Sequence, residues 1–415
     1  MLCMGLLLSG ALGLMSWYAE SRSVSAQEAE PPLSRVTPPA RSMNHLRWHV
    51  VRKTVPIPLT IRTNIRSSSV VLSRDGRHLV VGGGATVHLS ILDAETLALQ
   101  EQIPTRGDTT NSVQSVMSGR YILANASRGR IAWRNLRVNR ARDLFVLDGL
   151  TLELIGVVQL GENLGNIHDL GDGTVLVPSV QSRRLSRLDL ATLTVVEGIR
   201  TAERDFLPTN ISVRDDGAIA LVTEGAYLGR VAVGTEVLVM DPQHPAERSR
   251  FEFYGGLQHP RGSLFHPDGR HILIADRKAH ALVTLDWVQR RTADTRPIGD
   301  YPEDIGWMPD RREVWITFDG NRGERKVALV EVTTGQLTEF HLPGHTTNAP
   351  VFSPDGRMMY VPLSDQNGVG VIDLKRRIVI DFIATTKQAS DLAISADGRR
   401  LYVAHHGGTH VSLLE

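Results

Sequence analysis

The chain predicts an all-β fold: a single β-propeller of about eight four-stranded blades, its ring closed by an N-terminal strand. Three observations predict it. A turn signal Asp-Gly, intact or degraded, recurs at Asp75, Ser118, Asp172, Asp216, Asp268, Asp310, Asp355 and Asp397, and this dipeptide supplies the positive φ that a tight hairpin needs. The spacings, 42 to 54 residues, are those of propeller blades. The last copy also stops early. Asp355 to Asp373 and Asp397 to Glu415 are both 18 residues apart, so the chain ends where a third strand ends. The β-rich run Leu46 to Ile57, just before the first copy, is the expected fourth strand.

Within each copy the elements follow one order. A short apolar strand leads (Val70 to Leu72, Val351 to Phe352, Leu392 to Ile394), then the Asp-Gly turn and a second strand (His78 to Val81, His271 to Ala275, Arg400 to Ala404). A third strand alternates and ends in Asp, as in SILD at Ser90, LFVLD at Leu144, VTLD at Val283 and GVID at Gly370. A turn such as DAETL precedes a fourth, more polar strand. The intervals Ser118 to Asp148 and Asp216 to Asp241 are stretched, which places insertions between the second and third strands of two blades. Such sheets cannot bury both faces alone, so each must pack on two neighbours.

The repeats SPDGRMMYVPLSDQNGVGVID and SADGRRLYVAHHGG resemble the YVTN-type β-propeller family, a resemblance that covers about Leu46 to Glu415. It implies the fold and is nearly silent on function. An eight-bladed count is also similar to the d-type haem propellers of periplasmic nitrite-reductase cytochromes and of proteins that help make that haem. A seven-bladed count would instead resemble quinone amine dehydrogenase subunits or propeller lactonases.

Residues 1–26 read as a signal peptide, 27–43 as a flexible tether and 44–415 as the propeller. Leu2 to Tyr18 carries no charge, and Val24-Ser25-Ala26 fits a small-residue cleavage site before Gln27. Pro31, Pro32, Pro38 and Pro39 mark the tether. The expected location is therefore periplasmic or secreted, with membrane contact only if the leader stays uncleaved. The formal net charge of +1 provides no field for nucleic acid. Cys3, the one cysteine, lies in the leader, which excludes disulfides and thiolate metal sites from the mature chain.

Propeller geometry puts the loops entering each blade and those between strands two and three on one rim of the axial channel, and the Asp-Gly turns on the other face. Six residues before each turn lie Ser69, Ser112, Asn166, Asn210, Gly262, Asp304, Ala349 and Asp391; seven before lie Ser68, Asn111, Gly165, Thr209, Arg261, Glu303, Asn348 and Ser390. Two readings stay open. Small polar residues there satisfy backbone and water in a hydrated funnel, or they form a ligand site. In the second reading Glu303, Asp304 and Asp391 accept hydrogen bonds or hold a hard cation, Arg261 holds an anion, and Asn111, Asn166, Asn210 and Asn348 orient it.

His168, His259, His280, His345, His405 and His406 fall on or near this rim and offer imidazole for a metal, haem iron or proton transfer. His78, His266 and His271 belong to the opposite face. The span Asn125 to Arg142 carries Arg128, Arg130, Arg134, Arg137, Arg140 and Arg142 around Trp133 with no acid. It reads as a solvated loop or an anion-docking flap in which Arg130, Arg134 and Arg137 bind carboxylates. Signatures for nucleophilic hydrolysis, zinc proteolysis, phosphate loops and covalent c-type haem are absent from the sequence. The expected function is an exported binding or assembly module that holds a protein partner or small anionic ligand at the rim. A cofactor-bearing oxidoreductase component, haem- or quinone-linked, is the alternative, followed by a lactonase-like hydrolase. Catalytic residues, metal and cofactor stay unassigned.

Overall fold

The computed structural model describes residues 51–56, 68–83, 87–105, 109–128, 140–161, 164–179, 182, 184–200, 206–214, 219–225, 227–228, 231–232, 235–241, 244–253, 257, 259–319, 324–346, 348–406 and 410–415. Leu46–Glu415 forms one compact unit. The predicted leader and tether lie outside the described residues.

The described strands make eight four-stranded antiparallel sheets and one two-stranded ribbon. Blade 1 runs Ser68–Leu72, His78–Gly83, His88–Asp93 and Leu99–Pro104; blade 2 runs Thr109–Val116, Tyr121–Arg128, Arg140–Asp148 and Leu154–Gln159. Blade 3 is His168–Asp169, Thr174–Ser179, Arg184–Asp189 and Thr194–Arg200, and blade 4 is Phe206–Val213, Ile219–Gly225, Thr235–Asp241 and His244–Phe253. Blade 5 holds Pro260–Phe265, His271–Asp276, Ala281–Asp286 and Arg291–Pro297; blade 6 holds Pro302–Trp307, Glu313–Phe318, Lys326–Glu331 and Leu337–His341. Blade 7 comprises Val351–Phe352, Met358–Leu363, Gly368–Asp373 and Ile378–Ala384. Blade 8 takes Ala389–Ile394, Leu401–His405 and His410–Leu414 from the end of the chain and Val51–Pro56 from its beginning.

Closure is therefore made by the predicted strand. Val51–Pro56 pairs antiparallel with His410–Leu414, Val55 opposite Val411 and Thr54 opposite Ser412, and the Thr54 and Ser412 hydroxyls bond at 2.8 Å. The core explains why second and third strands are apolar on both faces. Each apolar cluster joins two neighbouring blades: Val80 of blade 1 packs with Val113 and Ile122 of blade 2, whereas its strand neighbours Leu79 and Val81 pack with Tyr402 and Val411 of blade 8. The same alternation in blade 7 sends Met359 and Val361 toward blade 6 and Met358 and Tyr360 toward blade 8. Six interfaces of this kind, including those two, complete the circuit through blades 2 to 8, so among the described residues every blade packs on both of its neighbours.

Turn chemistry follows the sequence closely. Gly76, Gly269, Gly356 and Gly398 of the Asp-Gly turns have φ between 68° and 70°, a conformation in which a Cβ is strained. In blades 1, 3 and 5 the Asp that ends the third strand caps the next turn: Asp93 Oδ1 accepts from Thr96 N at 2.7 Å, Asp189 Oδ1 from Thr192 N at 2.8 Å, and Asp286 Oδ1 from Gln289 N at 2.9 Å. These bonds hold the Asp93 and Asp189 carboxyls below the usual carboxylate range. Four residues after the acid, Leu97, Leu152, Leu193, Arg290 and Arg377 all take φ between 54° and 62°, a repeated left-handed position without glycine.

Both stretched intervals carry extra structure, with corrections of detail. In blade 4 a ribbon of Tyr227–Leu228 and Val231–Ala232 occupies the interval. In blade 2 the expected loop Asn125 to Arg142 is shorter, because the second and third strands extend to Arg128 and begin at Arg140, with Arg128 paired to Arg140. Continued backbone pairing outweighs the loop-like composition. Arg130, Arg134 and Arg137 lie outside the described residues. Gly82 and Gly83 end the second strand of blade 1; a Cβ at Gly82 would meet Val113 Cγ2 at 2.7 Å and Thr110 Oγ1 at 2.8 Å, so blade 2 can approach only because that position is bare.

Candidate functional site

First strands of adjacent blades contact one another, as blade 1 does with blades 2 and 8 and blade 5 with blades 4 and 6, which puts these strands innermost. A register shift interrupts the inner strand in five blades, between Thr110 and Ser112, Pro208 and Asn210, Pro260 and Ser263, Pro302 and Asp304, and Ala389 and Asp391. Every one of these bulges contains the residue seven before the turn: Asn111, Thr209, Arg261, Glu303 or Ser390. A bulge sets two residues opposite one and breaks the alternation of side chains. Sequence neighbours can then reach the same neighbouring blade.

They do so in two places. Ser390 and Asp391 of blade 8 both meet blade 1, through the Ser68 hydroxyl and through Ser69 Oγ, which donates to Asp391 Oδ2 at 2.7 Å. Glu303 and Asp304 of blade 6 both meet blade 5: Arg261 donates through Nε to Glu303 Oε1 at 3.1 Å and through Nη2 to the same oxygen. Asp304 Oδ1 lies 3.2 Å from where a Gly262 Cβ would stand. Asn348 Nδ2 of blade 7 donates to the Ser390 carbonyl, and Ser69 Oγ to the Val113 carbonyl of blade 2 at 3.0 Å. Among the described side chains, the six- and seven-back residues of blades 1, 5, 6, 7 and 8 thus form an inter-blade belt along the inner strands.

The belt is most charged between blades 5 and 6. Arg277, just past the second strand of blade 5, pairs with Asp319 and stands 3.5 Å from Glu303 Oε2 through its Nε; its guanidinium lies 5.6 Å from the Tyr301 ring centroid. Arg261, Glu303, Arg277 and Asp319 make a chain of alternating sign. Beside them Asp304 is pushed up to about 6 by burial and secondarily by the Glu303 charge, against the Ile305 N–H bond and Arg261. Asp391 is also raised by burial, although Ser69 Oγ, Val70 N and Leu392 N all donate to it. A carboxyl poised near neutrality next to a partly buried ion network is the kind of perturbation that accumulates at functional sites.

The remaining sequence candidates divide. Asn166 is exposed at the start of blade 3. Asn111 and Asn210 lie on the inner strands of blades 2 and 4, and their side chains are outside the described residues. His168, on the inner strand of blade 3, is lowered to about 4 by burial, so it stays neutral, the form that ligates metals. His405 is a structural residue: it is fully buried, with Nδ1 against the Lys387 carbonyl at 2.9 Å and Nε2 against Ser412 Oγ at 2.7 Å. Both ring nitrogens are engaged, which corrects its reading as a ligand. His345 faces Asp365 at 3.2 Å, and His280 packs edge-on against Tyr301 with Asp300 at 3.2 Å. Sequence reasoning missed Arg277 and Asp319. Each directly follows the second strand of its blade, a position recurring with the same period as the turns.

No protein-family model matches the chain, and no curated protein matches it in sequence. Solved structures do match in fold. Dihydro-heme d1 dehydrogenase NirN, in complex with DHE, is similar over 88% of this chain and 76% of its own, with 14% identity and a TM-score of 0.62. Hydrazine synthase of Kuenenia stuttgartiensis is similar over 85% and 96%, at 14% identity and a TM-score of 0.52. A chain of the mitotic checkpoint complex is similar over 95% and 97%, at 11% identity and a TM-score of 0.53. At such identities the likeness concerns the β-propeller fold alone.

Proposed function

We propose that this chain is an exported β-propeller that binds a ligand or protein partner at the rim, centred on the belt between blades 5 and 6. The observation that carries the reading is Asp304, a carboxyl held near neutrality beside the Arg261–Glu303–Arg277–Asp319 chain. That site can accept or donate a proton in hydrogen bonding to a ligand, while the arginines attract anionic groups. Asp391, Asn348, Asn111, Asn166 and Asn210 extend the polar surface to the other blades, and the arginines of Asn125 to Arg142 are the proposed anion-docking flap. Export follows from the leader and from the small-residue motif before Gln27.

The test is recovery of partners from the native envelope at low and moderate salt, using the mature protein and a variant with Arg130, Arg134 and Arg137 all changed to Ala. The variant should fold normally and recover less partner, with the deficit largest at low salt. Undiminished recovery would remove the flap from the reading. A second reading, a haem- or quinone-linked oxidoreductase component, is favoured by neutral His168 on an inner strand; NirN, a dihydro-heme d1 dehydrogenase, shares the fold. An absorption spectrum of protein purified from the native envelope separates the two, since only the second predicts a Soret or quinone band that H168Q alters.

A further inference from the structure

On the face opposite the rim, the blade 5 hairpin departs from its sister turns. In blades 1, 7 and 8 the turn is Ser-x-Asp-Gly: the Ser hydroxyl donates to the Asp at 2.7, 2.6 and 2.6 Å and accepts the amide of the residue five positions on at 3.0, 2.9 and 2.9 Å. That arrangement satisfies the turn completely. Blade 5 reads His266-Pro267-Asp268-Gly269-Arg270-His271, with imidazole replacing the Ser hydroxyl and a second imidazole five residues on.

The replacement creates a mismatch within the turn. His266 Nδ1 accepts the Asp268 amide at 3.1 Å, so it presents a lone pair, yet the same nitrogen lies 3.0 Å from Asp268 Oδ2. Two acceptors at that distance repel unless a proton or a metal cation lies between them. His271 Nδ1 is 2.6 Å from the same carboxylate oxygen, and the three ligand atoms lie within 4.8 Å of one another. Asp268 Oδ1 is meanwhile committed to the Arg270 and His271 amides at 2.8 and 3.0 Å, which leaves Oδ2 aimed at the two rings. The hairpin is held from behind: the Gly269 carbonyl accepts from Arg214 Nη1 at 2.7 Å and from Trp287 Nε1 at 3.0 Å. A supported turn keeps its ligands in place before metal arrives.

We propose that His266, Asp268 and His271 bind a borderline divalent transition metal of the zinc class, with its open coordination position facing the adjacent cavity. Two imidazoles and a carboxylate are the donor set that such ions take when they keep a position for another ligand. Metal–ligand bonds of about 2.0–2.2 Å place tetrahedral donors about 3.3 Å apart, so occupancy requires the three side chains to rotate and His266 Nδ1 to exchange the Asp268 amide for the metal. The cavity, about 490 Å³, is lined by His266, Asp268, Arg214, Arg311 and Trp307 among others. Its two guanidinium groups suit an anionic ligand bridging metal and arginine.

Tag-free mature protein titrated with Zn²⁺ against a chromophoric chelator should bind one ion per chain, and Co²⁺ should give visible d–d bands. The H266S/H271M variant recreates the Ser353 and Met358 chemistry of blade 7 and should keep the circular dichroism and melting temperature of the wild type. Its Zn²⁺ affinity should fall by more than about 100-fold, beyond the loss typical for outer-shell changes. Equal affinity in the two proteins, or no Zn²⁺ binding by the wild type, overturns the site. Inorganic phosphate should shift the Co²⁺ bands of the wild type; unchanged bands overturn the open position.

Discussion

Replacing Asp304 with Asn tests the electrostatics of the belt directly, because it removes a charge while keeping the acceptor for Ile305 N, now 2.9 Å from Oδ1. The Asp304 carboxyl is pushed up to about 6, chiefly by burial, from the ordinary aspartate value of 3.8. A folded value above the unfolded one penalises the ionised native state. The penalty is absent below about pH 4, grows as pH rises toward 6 and is constant above. At about 1.4 kcal/mol per unit, a shift of this size corresponds to at most about 3 kcal/mol. D304N should therefore be more stable than wild type at pH 8 by up to that amount, and the advantage should vanish near pH 4. Urea unfolding of the purified protein at pH 4, 6 and 8 reads it out. A stability difference independent of pH would refute the argument, since it would mean that Asp304 ionises equally easily in both states.

His168 predicts the opposite pH dependence. Burial lowers its imidazole to about 4, below the unfolded value, so wild-type stability should fall as pH drops from about 6.5 through 4, and H168Q should flatten that slope; an unchanged acid limb would contradict it. Deleting residues 44–58 removes the fourth strand of blade 8 and leaves the Val411 and Leu413 edge unpaired, so the melting temperature should drop steeply. Melting like the intact mature protein would mean that the seam contributes nothing.

The ring was legible because its determinants are local. Asp-Gly turns, the Asp that caps each third strand, and two-sided apolar runs are each written within a few residues, and they recur often enough to calibrate one another. The belt was half legible. Counting back from the turns located Arg261, Glu303, Asp304, Asn348 and Asp391, but pairing Arg261 with Glu303 depends on a bulge whose existence is set by the register of the facing strand, and no single strand encodes its partner's register. His405 differs for a related reason: the sequence sets it among the rim imidazoles, whereas it ends the second strand of blade 8, fully buried and bonded to Ser412. The sequence sets His266 and His271 on the opposite face; comparing them with Ser73, Ser353 and Ser395 position by position is the signal that distinguishes them.

The joint between Val51–Pro56 and His410–Leu414 also imposes an order of events on biosynthesis. Its side-chain bond from Thr54 to Ser412 spans 358 positions, and bringing ends so far apart together carries a loop-closure entropy on the order of 5 kcal/mol. Contacts of such separation form late. The earliest strand to emerge must therefore wait, unpartnered, for the last five residues of its sheet, and only then does the string of blades become a ring. Proteolysis that reaches Val51–Pro56 from one side or His410–Leu414 from the other attacks the same joint, so these two strands are one point of failure.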